Sequence, residues 1–321
     1  MIKKECFTTE WIEQVASELH YNDKNLIEKV IRALSLLEML VKAGCPLVFK
    51  GGTALMLILG KSAHRLSIDI DVICPPGTNI EDYLKSFADF GFIDLELVER
   101  KQRNDADIPK SHSKFFYQIA YRNDTDAQSY ILLDVLYEDI HYFQTRQIAI
   151  DCPFIRLEGE PLMVTVPSAE DILGDKLTAF APNTTGIPYY KNDRSCSMEI
   201  AKQLYDVGRL FENVSDLQIT KEAFRKIAVV ELSYRSFGTD IGQVFNDIRQ
   251  TALCISTRGK AGEGDFDLIQ DGIIRVKSFM YKQRYLIDHA IIDAARAAYL
   301  ATLIEKGINE IESYSNNPAD I

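Results

Sequence analysis

The amino-acid sequence predicts an α/β fold with a mixed sheet and flanking helices, followed by an all-helical C-terminal domain. Two patterns support this prediction. Short apolar runs of strand type occur before about residue 165, and apolar residues at helical spacing dominate after it. The length of 321 residues is enough for two cores. We therefore expect one domain at residues 1–165 and a second at residues 166–321.

Each predicted element follows from a local pattern of apolar, turn-forming and capping residues. Asp23 is placed to cap a helix in which apolar residues recur from Leu26 to Val41. Further helices are expected at 53–59 and 79–90, and strands at 47–49, 66–74, 93–98, 115–121 and 130–136. In the second domain Ser168 begins a helix, and others are expected at 199–211, 221–233, 241–255, 266–283 and 288–311.

The bulk properties of the chain exclude several classes of protein. No run approaches about 18 consecutive apolar residues, which excludes a transmembrane helix, and no apolar signal-peptide core follows Lys3 and Lys4. The six cysteines are scattered without a CxxC pair, which argues against a zinc site or a disulfide framework. We expect a cytoplasmic protein with no membrane partner. The formal net charge of -11 means that any bound nucleic acid must meet a local basic patch.

Two aspartates separated by one residue form the most informative motif. Asp69 and Asp71 flank Ile70 in an expected strand, so both carboxylates point to one face of the sheet. Neighbouring carboxylates repel each other unless a cation compensates them, and Mg²⁺ prefers oxygen ligands that it shares with phosphates. Asp134, an isolated acid in an apolar strand, is the expected third ligand, with a solvent-facing strand-end acid as the alternative. This set indicates a site for Mg²⁺, or alternatively Mn²⁺, that serves phosphoryl-type transfer.

The turn Lys50-Gly51-Gly52-Thr53 joins a short strand to a helix. Glycines permit positive φ angles and a close approach of the backbone to a ligand, and a helix N-terminus favours an anion. We expect the triphosphate of an NTP to bind here, in contact with backbone N–H groups and the Thr53 hydroxyl. Arg65 and Ser67 are further expected NTP-binding residues; the arginine fork suits contact with phosphate or, alternatively, the orientation of a metal-binding carboxylate.

These motifs resemble those of the AbiEii-type nucleotidyltransferases. That family supplies the toxins of type IV (abortive infection) toxin–antitoxin systems, within the DNA polymerase β-like superfamily. The resemblance begins with Phe49–Leu55 and Arg65–Asp71 and continues in Asp175–Ala179, which is similar to the family's helical lysine motif. Lys202–Val207 is similar to a later motif, although Gln203 stands where the family often has an acid, which puts a charge-dependent role there in doubt. The motifs extend to about residue 210, and the helices beyond match only in general character.

The resemblance implies a nucleotidyltransferase fold and an active site closed from two sides. Lys176 would contact the nucleotide phosphates, and Asp206 would be the acid of the later motif, so that the implied catalytic residues are Asp69, Asp71, Asp134, Lys176 and Asp206. It also implies transfer of a nucleotide monophosphate from an NTP to RNA, foremost the 3′ end of tRNA, with growth arrest as the consequence. A cognate antitoxin encoded alongside is expected, without a stable complex being implied.

Two alternatives stay open on the sequence alone. Nucleotidyltransferases that modify aminoglycoside-type antibiotics use the same acidic strand pattern, and an acidic cleft would suit such a cationic acceptor. The other alternative is a catalytically degenerate binding module, which the presence of the motif residues opposes. An RNA acceptor would meet a local basic stretch, for which a solvated surface is the ordinary interpretation; its members are Arg100, Lys101, Arg103, Lys110 and Lys114.

Overall fold

A computed structural model describes residues 1–98, 109–120, 127–214, 216–235, 238 and 240–311 of the chain. The chain divides into two compact units. The first consists of Met1–Ser168 and Ile273–Leu286, and the second consists of Ala169–Gly272 and the chain from Ile287 onward. A short stretch from the C-terminal half of the sequence therefore belongs to the first unit.

A five-stranded mixed sheet forms the centre of the first unit. Its strands are β1 (Val48–Lys50), β2 (Ile70–Cys74), β3 (Asp94–Val98), β4 (Lys110–Gln118) and β5 (Gln128–Tyr137), arranged in the order β1-β2-β5-β4-β3. β2 and β5 run parallel, whereas the other neighbouring pairs are antiparallel. A separate antiparallel pair, β6 (Thr145–Ala149) and β7 (Met163–Pro167), lies with β7 beside β1. The predicted mixed sheet is confirmed.

A long helix packs against one face of this sheet. The helices of the first unit are α1 (Thr9–Glu18), α2 (Lys24–Lys42) and α3 (Gly51–Leu59). The predicted cap of α2 is confirmed, since the Asp23 carboxylate accepts a hydrogen bond of 3.1 Å from the Leu26 N–H. The apolar stripe of α2 shares one hydrophobic core with alternate residues of the two parallel strands, namely Ile70, Val72, Leu133 and Val135. Each such side chain contributes about 1.5–3 kcal/mol when fully buried.

Two buried charged residues tie α2 to the surrounding loops. Glu28 and Arg32 form an ion pair with an N–O distance of 3.5 Å, and both are buried. Glu28 accepts hydrogen bonds from the Ala120 N–H, while Arg32 donates to the Gly91 carbonyl and lies over the Tyr117 ring. Burial raises the pKa of Glu28 and lowers the pKa of Arg32. Each charge therefore depends on the other, and on these hydrogen bonds, for compensation.

The second unit is built mainly from helices. They are α4 (Ala169–Ala179), α5 (Ser197–Phe211), α6 (Leu217–Ser233), α7 (Ile241–Ser256), the first part of α8 (Phe266–Val276) and α9 (Ile287–Lys306). α4 packs against α5 and α6, and α9 packs against α5 and α7. The predicted helical region is confirmed, with a small hairpin of β8 (Tyr190–Lys191) and β9 (Arg194–Ser195) as an addition. In the described part of the chain, no helix is both long and apolar enough to cross a membrane.

The prediction of one continuous helix at residues 79–90 is wrong. This segment forms two separate 3₁₀ turns, Ile80–Tyr83 and Phe87–Phe90. Two side chains of α2 donate hydrogen bonds to carbonyl groups at the end of this segment. Ser35 donates to the Phe90 carbonyl at 3.1 Å, and Arg32 donates to the Gly91 carbonyl. These tertiary hydrogen bonds pair two carbonyls at the end of the segment that have no helical donor.

The helix predicted at 266–283 ends earlier, at Val276. The chain beyond it pairs with a loop of the first unit instead of continuing as helix. The Leu66 N–H donates to the Phe279 carbonyl at 2.8 Å, and the Tyr281 N–H donates to the His64 carbonyl at 2.9 Å. Backbone hydrogen bonds to a distant segment therefore replace helical ones, which local periodicity could not indicate.

Gly174→Ala tests the close packing of α4 on α6. A Cβ on Gly174 would lie 2.7 Å from the backbone nitrogen of Phe224 and 2.8 Å from the carbonyl oxygen of Thr220. Although alanine favours a helix, we expect the free energy of unfolding to fall by about 1–3 kcal/mol, because two helix backbones must move apart. Thermal unfolding measures the loss. Val229→Ala, at an exposed position of α6, is the control and should change stability by less than about 0.5 kcal/mol; equal losses would contradict the packing argument.

Candidate active site

The turn between β1 and α3 brings two glycines against the acidic strand. Gly51 has a φ of 79°, a left-handed conformation that glycine adopts without strain. A Cβ on Gly51 would lie 2.1 Å from Oδ2 of Asp71. A Cβ on Gly52 would lie 2.7 Å from Oγ of Ser67 and 2.9 Å from Nη2 of Arg65. A side chain at position 51 or 52 would collide with these residues of the same chain. Both positions therefore require glycine, whether or not a ligand is bound.

Thr53 and Arg65 shape the loop that precedes β2. The Thr53 hydroxyl donates a hydrogen bond of 2.7 Å to the Asp69 carbonyl, and its side chain is fully buried. The buried Arg65 donates to the Leu66 carbonyl at 3.0 Å. Both side chains therefore hold the backbone that presents Asp69. Phosphate contacts by Thr53, Arg65 and Ser67 stay predictions.

Asp69 lies outside the strand on which the sequence pattern placed it. The predicted strand at 66–74 is shorter, because β2 begins directly after Asp69. β1 ends at Lys50, which pairs with Asp71, so the next pairing partner for Asp69 would be Gly52. Gly52 already belongs to α3, so Asp69 has no partner on β1. The exposed Asp69 side chain consequently lies at the end of the strand, two residues before Asp71.

Four side chains form a row across four neighbouring strands, on the face of the sheet opposite α2. The register aligns them in sequence across the sheet: Lys50 of β1, Asp71 of β2, Asp134 of β5 and His112 of β4. Residues in register share a face, and neighbouring strands lie about 4.8 Å apart. We call these four residues the polar row. The Lys50 ammonium also lies 5.9 Å from the centre of the buried Tyr142 ring. The predicted acid on a neighbouring strand, Asp134, thus lies directly beside Asp71.

His112 is the member of the polar row that the sequence pattern does not reveal. Nδ1 of its buried ring is within hydrogen-bond distance of Oδ1 of Asp134, so the contact restricts the orientation of that carboxylate. Nε2 is buried without a hydrogen-bond partner among the described residues. β4 begins at Lys110, before the strand predicted at 115–121, which moves His112 from a loop onto the sheet. Burial alternates only from Ser113 onward, and His112 is buried beside it, so no local pattern singles out this histidine; the register that pairs it with Asp134 is not a local property.

In the second unit, the lysine motif (Asp175–Ala179) contacts the later motif (Lys202–Val207). Nζ of Lys176 on α4 lies 3.0 Å from Oδ2 of Asp206 and 3.0 Å from Oε1 of Gln203, both on α5. Lys176 and Asp206 are buried, so this lysine is not an ordinary surface residue. Gln203 accepts from the ammonium as a neutral amide, at the position where an acid is usual in the family. Contact of Lys176 with a nucleotide stays a prediction.

The carboxylates of the polar row fit a metal ion that arrives with phosphate. Among residues 1–98, 109–120, 127–214, 216–235, 238 and 240–311, no group of three or more His, Cys, Asp or Glu side chains is gathered closely enough to hold a metal. Mg²⁺, however, commonly takes one or two carboxylates together with waters and substrate phosphates. Asp71 and Asp134 supply such a pair, and Asp71 lies against the start of α3, where anions are favoured. The donor set therefore suits a metal–nucleotide complex better than a lone ion.

Part of the predicted basic stretch lies outside the described residues, namely Arg100, Lys101 and Arg103. The two remaining members are on β4. Lys110 is exposed, whereas Nζ of Lys114 forms a salt bridge of 3.0 Å with Glu96. The acid partly neutralises Lys114 and reduces its attraction for a polyanion. Contact of this stretch with RNA stays a prediction.

A mixed sheet whose carboxylates lie beside a Gly-Gly helix start is the arrangement of a nucleotidyltransferase. Residues 34–295 match the family described as nucleotidyl transferase AbiEii toxin of type IV toxin–antitoxin systems. Because the match covers most of the chain and includes every motif named above, the protein belongs to the AbiEii family. It is therefore a nucleotidyltransferase toxin, and the family implies an NTP substrate and an antitoxin partner. The resemblance indicated by the motifs is confirmed.

Two solved structures to which this chain is similar are bacterial proteins of low sequence identity. JHP933 from Helicobacter pylori is 15% identical, with 96% of this chain and 95% of that chain covered and a TM-score of 0.43. MenT4, a nucleotidyltransferase toxin from Mycobacterium tuberculosis H37Rv, is 14% identical, with 91% of this chain and 89% of that chain covered and a TM-score of 0.44. None of the curated protein sequences is a significant match to this chain.

Gly51→Ala tests the contact between the turn and Asp71, with Gly44→Ala as a matched control. The two glycines have φ angles of 79° and 75°, but nothing lies within 4 Å of a Cβ on Gly44. Left-handed alanine should cost both variants about 1–2 kcal/mol. Only Gly51→Ala should also displace Asp71 and slow nucleotidyl transfer by about 100-fold or more. Thermal unfolding and pyrophosphate release measure the two effects. Equal transfer rates in the two variants would show that Gly51 does not constrain Asp71.

Proposed function

We propose that this toxin transfers a nucleotide monophosphate from an NTP to a hydroxyl group of RNA, at the 3′ end of tRNA, and thereby arrests growth in the cytoplasm. The polar row carries the proposal, because it places two carboxylates in register beside a helix start that accommodates phosphate. The AbiEii resemblance supplies the RNA acceptor and the expectation of a cognate antitoxin encoded alongside. The proposed cofactor is Mg²⁺, with Mn²⁺ as the alternative.

The reaction makes one bond to phosphorus and breaks another. The acceptor hydroxyl oxygen bonds to the α-phosphorus, the bond from that phosphorus to the bridging oxygen of the β-phosphate breaks, and pyrophosphate leaves. Asp134 accepts the hydroxyl proton, and His112 holds its carboxylate in place for this. A divalent metal held by Asp71, Asp134 and the adjacent Asp69 would supply Lewis-acid stabilisation of the phosphate charge. Lys50 at the end of the polar row adds a fixed positive charge beside Asp71.

The start of α3 is the proposed binding site for the triphosphate. The first N–H groups of α3 have no acceptor within the helix, so they are suited to donate hydrogen bonds to an anion. Gly51 and Gly52 are half-buried, and the side chains of Arg65 and Ser67 lie directly against Gly52. Backbone donors and the helix dipole thus act on the phosphates together.

Lys176 is the second proposed phosphate contact, and Asp206 is its positioning residue. The buried carboxylate and the Gln203 amide fix the ammonium at 3.0 Å from each. An ammonium held in this way is pre-ordered for a phosphate, since little side-chain entropy remains to be lost. The assignment of Lys176 to the nucleotide comes from the resemblance to the family.

Four separately labelled NTPs, each incubated with the toxin, Mg²⁺ and total RNA, test the function. We expect label from at least one NTP in the tRNA band and none after chelation of the metal. Asp69→Asn, Asp71→Asn and Asp134→Asn should each reduce incorporation by about 100-fold or more. Asp139→Asn, an exposed neighbour of β5, is the matched control and should retain activity. Label that enters an aminoglycoside but not RNA would reject the RNA acceptor, and active Asp71→Asn protein would reject the metal site.

A double-mutant cycle separates the structural and catalytic roles of Lys176. Lys176→Met removes the ammonium that lies 3.0 Å from the buried Asp206 carboxylate and should lower the free energy of unfolding by about 3–5 kcal/mol. Lys176→Met combined with Asp206→Leu removes both charges and should recover much of that stability. Chemical denaturation measures these changes. If Lys176 contacts the nucleotide, transfer stays low in the double variant; recovery of transfer along with stability would limit this lysine to a structural role.

A further inference from the structure

The segment Ile273–Leu286 gives the first unit a concentration of cations in an otherwise acidic chain. No acid occurs between Asp271 and Asp288, and the basic side chains Lys277, Lys282 and Arg284 are exposed. In the described part of the chain, none of these three lies within salt-bridge distance of a carboxylate. Some other cations of this unit are paired, as Lys24 is with Glu13 at 2.6 Å. The three charges are therefore available to an external anion.

Two adjoining grooves surround these cations. The larger has a volume of about 510 Å³ and is lined by His20, Lys282 and Arg284, with Glu18 as the acid on its wall. The smaller has a volume of about 330 Å³ and is lined by Lys277 and Arg284. They are continuous, because both include Met280, Gln283 and Arg284. We call the combined surface the basic groove.

The basic groove is connected to the candidate active site through the backbone. Its floor pairs with the loop that presents the first aspartate: the Leu66 N–H donates to the Phe279 carbonyl, and the Tyr281 N–H donates to the His64 carbonyl. Asp69 is three positions after Leu66, a distance of at most about 11 Å along the chain. A ligand in the groove therefore lies beside the loop that leads into the polar row.

We propose that the basic groove binds the phosphate backbone of the RNA acceptor and directs its end toward the polar row. This assignment rests on the proposed function. A chain with a net charge of -11 repels a polyanion as a whole, so affinity for RNA must come from a local group of uncompensated cations. The same charges repel a cationic antibiotic, which makes a small aminoglycoside acceptor unfavourable at this surface. A membrane surface fits poorly because the site is concave.

The test compares RNA binding by two triple variants of the full chain. Lys277→Ala/Lys282→Ala/Arg284→Ala removes the cations of the groove, and Lys4→Ala/Lys61→Ala/Lys85→Ala removes three exposed cations elsewhere in the same unit. Anisotropy of a fluorescent tRNA pool is measured at salt concentrations between about 50 and 200 mM. We expect the groove variant to bind about tenfold more weakly at low salt. The slope of log affinity against log salt should also decrease by about 2, since three phosphate contacts are lost.

The control variant should bind like the wild type, and Lys277→Arg/Lys282→Arg/Arg284→Lys should retain affinity because it preserves charge. Equal weakening of the groove and control variants, or no binding of tRNA by the wild type, would overturn the proposal. Labelled-NTP incorporation distinguishes this failure from failure of the proposed function. RNA labelling that is insensitive to the groove variant rejects the groove alone. Groove-dependent RNA binding without incorporation of label into RNA rejects the proposed reaction alone.

Discussion

The Asp71 carboxylate occupies the space in which a side chain on residue 51 would lie, and the rest of the candidate site follows from that contact. A Cβ on Gly51 would be 2.1 Å from Oδ2 of Asp71, so the chain can leave β1 and enter α3 at this point only through glycine. The same turn ends β1 at Lys50, so Asp69 has no partner on that strand. One steric constraint thus fixes where β1 ends, where α3 begins and where Asp71 lies relative to them.

The two faces of the central sheet have opposite energetic roles. The face toward α2 is buried and apolar, and it supplies the hydrophobic free energy that holds the strands in register. The other face places Asp71 beside Asp134, which is unfavourable for two like charges. Lys50 and His112 at the two ends of the polar row reduce that cost, as does the field at the start of α3. The apolar face therefore holds the strands in a register that keeps Asp71 beside Asp134, although the two carboxylates repel each other. Binding of a metal–nucleotide complex would reduce this repulsion.

Charge is distributed in a way that suits two different ligands. Carboxylates concentrate in the polar row, where the proposed metal ion would bind together with phosphate. Uncompensated cations concentrate in the basic groove, on a segment that returns to the first unit from late in the sequence. In the second unit, Lys176 is instead neutralised by Asp206, so it is an ordered charge rather than part of a diffuse basic surface. The net charge of -11 hides these local differences.

The sequence by itself determined the helix α2 and its cap, the Gly-Gly turn and the spacing of Asp69 and Asp71, because each depends on a few adjacent residues. It also indicated Asp134, since one acid in an apolar strand is a local anomaly. Only the tertiary structure decided that His112 contacts Asp134, that Asp69 lies outside β2, and that residues 277–286 form a groove beside the loop preceding β2. These features depend on strand register and on hydrogen bonds between distant segments. Such long-range pairings are selected by the packing of the whole core, and no local pattern encodes them.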